Sequence, residues 1–436
     1  MKSSFLLTGL ALGAALSAVA STVVPAPHQQ HPVLLVHGTV YTVSGGVLEN
    51  TDVLLDAGHI SKIGRALTAP TGTEVVDVTG RRIYPGLIAA DTFLGLAEID
   101  AVRATVDTTE TGPINPNTRA QVAINPDSEL LPVARSNGVL TALVVPSASP
   151  DLIAGLSALI RLDGWTWEDL TLRPAVALHV YWPDMVLNRE LRAPKSPADQ
   201  QKDIAERLRL LDDSFNTARA YAQARASGVT VVDTRWEAMR PVFSGELPVF
   251  VHATEFKQIA AALAWAKHQK LKITIVGGVD APLLAIELKA ADVPVILTGV
   301  HTLPLRRDDA FDAPFTGPAK LQAAGVRFCI AGDTEGEGDT HANERNVPYL
   351  AAQAAACGLA PAEALKAVTL HAAELLGVGA ELGSVETGKR ATLIVTDGDP
   401  LEIPTQVKMA FIDGARIDLK NRQTELYDKY RKRYGK

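Results

Sequence analysis

A chain of 436 residues is too long for one minimal core and suits one large α/β barrel with a smaller companion domain. Its composition, 47% hydrophobic and 21% charged, belongs to a globular protein with a sizeable core and excludes disorder over most of the length. The formal charge is only −7 and there is no Lys/Arg stripe interleaved with aromatics, which argues against nucleic acid as a partner.

At the start, Lys2 precedes an apolar run over 5–20, and Ala18-Val19-Ala20 has the small-X-small form that signal peptidase accepts. The expectation is a signal peptide over 1–20, a mature start at Ser21, and export, to the periplasm if the source has two membranes. A membrane anchor would need ~20 apolar residues with stronger flanks, and no later segment is long and apolar enough to span a bilayer.

From 33 to 83 short β-prone runs alternate with turn residues, as in Val33-Leu34-Leu35-Val36, Asp52-Val53-Leu54-Leu55 and Val75-Val76-Asp77-Val78. The same pattern returns at Thr392-Leu393-Ile394-Val395 and over 407–414. Segments 33–82 and 383–420 therefore predict a small composite β-domain. Between them, apolar strand candidates at 83–93, 139–145, 175–180, 229–232, 249–252, 273–276, 293–297 and 328–330 alternate with stretches of helical periodicity. This is the pattern of a parallel sheet with crossover helices, and it predicts a (β/α)8 barrel over 83–382, imperfect around its fourth strand. The charged, Tyr-bearing tail 421–436 reads as a solvated terminal helix.

Three motifs carry a resemblance. Tyr84-Pro85-Gly86-Leu87-Ile88 leading to Asp91 and Phe93, the strand ending Val251-His252-Ala253, and the turn Gly383-Ser384-Val385-Glu386-Thr387-Gly388-Lys389 are similar to the amidohydrolase superfamily, in its imidazolonepropionase-like, metal-dependent hydrolase branch. The resemblance implies a TIM-like barrel wrapped by a small β-sandwich built from both chain ends. It also implies metal-assisted hydrolysis of an amide or cyclic amide C–N bond. The ligands would be His-X-His on strand one, one His each on strands five and six, and an Asp on strand eight that doubles as general base. The matching positions here are Asp91, Phe93, His252, Gly277 and Asp333, so three of the five are substituted.

A phenyl ring offers zinc no lone pair. What remains is a set of Asp91, His252 and Asp333 that could hold one divalent metal, zinc or similar, with Asp333 taking the water's proton. No Lys stands at a strand-four end, so no carbamate bridge is expected. Each survivor also has a plainer reading. His252 could be a hydrogen-bonded strand-end histidine, Asp333 an acceptor for loop amides, and Asp91 a polar residue at a water-filled mouth.

Two functional readings stay open. One is a metal-assisted C–N hydrolase. The other is a pseudoenzyme that binds a small molecule, self-associates, or pairs with an intact amidohydrolase.

Phe93, His179 at the end of the third predicted strand, Gly277, His301 after the seventh and His341 after the eighth are candidate pocket-lining residues. The loop 333–344 is similar to an EF-hand calcium loop, but Glu at positions three and five favours a solvated acidic loop. Arg306-Arg307-Asp308-Asp309 reads as a solvated charge cluster. The long loop 111–127 is able to cover the barrel mouth. Cys329 reads as a buried free thiol, its pairing with Cys357 being left open. There is no Gly-X-Ser-X-Gly elbow, P-loop, dinucleotide fingerprint or His-Glu-X-X-His.

Overall fold

The computed structural model describes residues 23–147, 152–190, 192–332, 334 and 340–435. The signal-peptide expectation over 1–20 and the proposed catalytic Asp333 both fall outside the described residues.

On the N-terminal side lie β1 (Val33–Tyr41), β2 (Val47–Asp56), β3 (His59–Gly64), β4 (Glu74–Asp77) and β5 (Arg82–Pro85). The chain then enters the large α/β unit with β6 (Leu87–Thr92), which runs parallel to β7 (Val139–Val144). Next come β8 (Ile153–Leu156) and β9 (Ala158–Arg161), two halves of one run bent at Ser157, followed by β10 (Thr171–Arg173) and β11 (Leu178–Tyr181). The run is antiparallel to both neighbours, β9 against β7 and β8 against β11. From β11 the sheet continues in parallel through β12 (Val249–Ala253), β13 (Ile273–Gly277), β14 (Val295–Leu297) and β15 (Phe328–Ile330). These strands are buried along almost their whole length, as expected of sheets covered by crossover helices.

The C-terminal strands β16 (Leu393–Thr396), β17 (Val407–Ile412) and β18 (Ala415–Arg416) return to the first sheet, giving the order β18-β17-β16-β5-β1-β2-β3 with β4 on β1. Leu35, Val53, Leu55, Ile83, Leu393, Val395 and Phe411 form its own apolar cluster, separate from the main core. A sheet built from both chain ends is thus present. The terminal helix Arg422–Arg433 buries nothing and is capped by Asn421, whose side chain accepts from the amides of Gln423 and Thr424.

Two strand expectations are corrected. Residues 229–232 form no strand; they are an exposed link between helices Pro197–Ala226 and Thr234–Ser244, with Val231 73% exposed. The edge of β12 that such a strand would need is already taken by β11, so β-propensity finds no partner. Strand four is therefore β11, and the third position belongs to the antiparallel run 153–161. Among the described residues the large unit has two hydrogen-bonded sheets, β10-β9-β7-β6 and β15-β14-β13-β12-β11-β8, and no ladder joins β15 to β6. At that seam the Ile88 amide donates to Val368 O (3.0 Å), at the end of helix Pro361–Ala367.

Cys329 and Cys357 are both free. Burial, and then the charge of Asp91, push the Cys329 thiol up. No helix among the described residues is long and apolar enough to cross a membrane.

Candidate functional site

In parallel neighbours, residues two apart on one strand and their register partners share a face. The pairing His179↔Phe250 and Tyr181↔His252 therefore puts four rings on one side of β11 and β12. His179 Nδ1 lies 2.9 Å from His252 Nε2, His252 stacks on Tyr181 at 3.8 Å between centroids, and His179 meets Phe250 edge-on at 5.5 Å. Tyr181 Oη donates to Pro146 O (2.9 Å). Both imidazoles are buried, and burial followed by the neighbouring His252 holds His179 well below its ordinary value. His179 is neutral at neutral pH.

One proton serves the His179–His252 bond, so one ring donates and the other accepts. His179 Nε2 is buried with no partner. A buried N–H without an acceptor is rarer than an under-satisfied acceptor, which assigns the shared proton to His179 Nδ1. The lone pair of His252 Nε2 is then consumed by His179.

Asp91, on β6, is 1% exposed and accepts a 2.6 Å hydrogen bond at Oδ2 from Thr334 Oγ1. Phe93, two residues on, is 9% exposed and packs into the main core. Its carbonyl accepts from the amides of Leu96 and Ala97, which turns the chain at the strand end.

At the end of β13, Gly277 has φ +96°, and a Cβ there would stand 2.6 Å from Thr254 Oγ1. At this position the backbone conformation and the neighbouring Thr254 hydroxyl both disfavour a side chain. The Gly278 amide donates to Ala253 O and the Thr298 amide to Gly277 O, each at 3.0 Å, so the ends of β12, β13 and β14 are laced together.

The turn 340–346 folds back on the end of β15, with the Glu344 carboxylate packed against Gly332. His341 on the same turn is buried, its Nδ1 3.8 Å from Asp100 Oδ1. His341 thus faces the loop after strand one. His301 is exposed, edge-on to Phe315 at 6.4 Å. It is a surface histidine and lines no shared site with His252.

Arg306 pairs with Asp309 inside its partly exposed charge cluster, and it also reaches beyond that cluster. It pairs with Asp280, whose Oδ2 also accepts from the Phe256 amide at 2.8 Å, so it ties the loop after β14 to the start of helix Phe256–Gln269. Sequence reasoning missed this clamp and the His179–His252 pair for the same reason, since neither pair is local.

Residues 315–417 match the amidohydrolase family. The chain is 22% identical over 404 residues to amidohydrolase tasK of Hapsidospora irregularis, covering 83% of this chain but 39% of that protein. It is 27% identical over 378 residues to an imidazolonepropionase of Deinococcus radiodurans, covering 81% of this chain and 86% of that one. A solved amidohydrolase from Thermotoga maritima superposes with a TM-score of 0.76 at 23% identity, covering 88% of this chain and 99% of that chain.

The fold is of the amidohydrolase, TIM-barrel-like class. The chain belongs to the amidohydrolase superfamily, a family that is typically metal-dependent and supports hydrolysis of C–N bonds in general.

The described residues do not fit that family's metal. No three His, Cys, Asp or Glu side chains among them converge as a metal site. Phe93 and Gly277 offer no donor, and His252 Nε2 is engaged by His179.

Proposed function

We propose that this protein is an exported, catalytically silent amidohydrolase whose α/β scaffold is kept as a small-molecule binding module. The observation that carries the reading is the 2.9 Å bond between His179 Nδ1 and His252 Nε2, which commits the imidazole at the strand-five position to another side chain. Gly277 supports it, because the strand-six position is shaped against any ligand-bearing residue. Export is supported by the composition of the N-terminal segment.

A second reading is hydrolysis of an amide or cyclic amide C–N bond, favoured by the family and by the buried Asp91 carboxylate at the end of strand one. Metal analysis separates the two. Protein purified without chelators, from medium supplied with zinc and manganese, is expected to carry less than about a tenth of an equivalent. Close to one equivalent, lost in His252→Ala, would overturn the silent reading and favour the hydrolase one.

A further inference from the structure

Next to the His179–His252 cluster, the loop after strand one borders a cleft of about 450 Å³ lined by Leu96 and Pro146. Its lining includes the exposed residues Asp107, Glu110, Asn117 and Arg119. That volume is within the range of small-molecule sites.

Both walls are held by backbone hydrogen bonds. On one side the Asp107 amide donates to Leu96 O and the Ser147 amide to Thr108 O, each at 2.7 Å. On the other the Asn115 amide donates to Ile153 O and the Leu156 amide to Thr118 O, each at 2.8 Å, which lays the loop along β8. This close approach needs Gly155, at φ +129°, because a Cβ there would stand 2.6 Å from Thr118 O. The cleft is therefore fixed before any ligand arrives, which lowers the ordering cost of binding.

The charges of the lining are mixed and uncommitted. Among the described residues the side chains of Asp107, Glu110 and Arg119 make no hydrogen bond or ion pair. A guanidinium presents paired N–H groups that match a carboxylate, and carboxylates accept from an ammonium. Opposite charges lining one concavity favour a molecule that carries both signs.

We propose that this cleft binds a small zwitterion, a free amino acid or dipeptide, with its ammonium at Asp107 and Glu110 and its carboxylate at Arg119. The site needs no metal and stands whether or not the proposed function does. It adjoins the old centre, since Pro146 on its floor accepts the Tyr181 hydroxyl that stacks above His252.

The test is calorimetric titration of the full chain with the free proteinogenic amino acids and with their alanyl dipeptides. At least one member is expected to saturate a single site. The same compound with an acetylated amine or an amidated carboxylate is expected to bind at least ten-fold more weakly, a comparison that needs no mutant. Arg119→Ala and the double variant Asp107→Asn, Glu110→Gln are each expected to weaken binding at least ten-fold with an unchanged melting temperature. Absence of millimolar binding across the whole panel would overturn the assignment. So would equal binding of the blocked compound, or wild-type affinity in Arg119→Ala. Metal content, measured on the same preparation, bears on the silent-enzyme reading alone.

Discussion

Gly277→Ala tests the claim that the strand-six position is shaped against side chains. At φ +96° an L-residue pays ~1–2 kcal/mol for left-handed backbone. The new Cβ would also meet Thr254 Oγ1 at 2.6 Å, an overlap on the scale of overpacked cores, ~1–3 kcal/mol. The sum, ~2–5 kcal/mol, is a large part of the ~5–15 kcal/mol that separates folded from unfolded domains. Urea unfolding of wild type, Gly277→Ala, Thr254→Ala and the double variant reads the two contributions separately. Removing the Thr254 hydroxyl relieves the overlap but not the backbone strain, so the double variant should recover ~1–3 kcal/mol relative to additivity. A cost for Gly277→Ala below ~0.5 kcal/mol, or additivity within ~0.5 kcal/mol, refutes the reasoning. If it holds, restoring an imidazole by Gly277→His strains the strand end and recovers no metal site.

The buried His179 makes stability depend on acid. Its folded value lies below the ordinary 6.5, so as pH falls through about 6.5 the unfolded chain gains a proton that the folded chain refuses. This contribution is complete above that pH and declines by up to ~1.4 kcal/mol per unit below it. Glu98, Glu129 and Glu255, all raised chiefly by burial, oppose the trend, since folded protein holds their protons to higher pH. The measured quantity is therefore the difference in slope between wild type and His179→Gln from about pH 7 to 5, and equal slopes would remove the neutral pair. For export, the intact mass of protein from the periplasm of a two-membrane host should correspond to a chain starting at Ser21, and a retained Met1 would refute the cleavage.

The parts of the fold that could be read beforehand were those with local causes. β1, β2, β16 and β17 are short β-prone runs between turns, and β12 to β15 are continuous apolar runs before helices, so composition and punctuation reveal them. The run 153–161 escaped because Ala154, Gly155, Ser157 and Ala158 dilute its β-propensity, and only pairing on both sides makes it a strand. Residues 229–232 misled for the opposite reason, having strong propensity and no partner. The site suffered most from this exchange. With 229–232 as strand four, His179 falls on strand three and is separated from His252, the neighbour it bonds 73 residues away.

The corrected order changes what the substitutions mean together. His179 stands on strand four and bonds the strand-five imidazole. A buried polar group left without a partner costs ~1–3 kcal/mol, so losing ligands one at a time would have strained the core at each step. Here His252 bonds His179, Asp91 bonds Thr334, and Gly277 admits no side chain that would need a partner. On the silent-enzyme reading proposed above, these bonds hold the remaining polar side chains of the strand ends to one another. Phe93→His would bury an imidazole in the main core where Phe93 now packs, and metal binding there would have to compete with the His179–His252 bond.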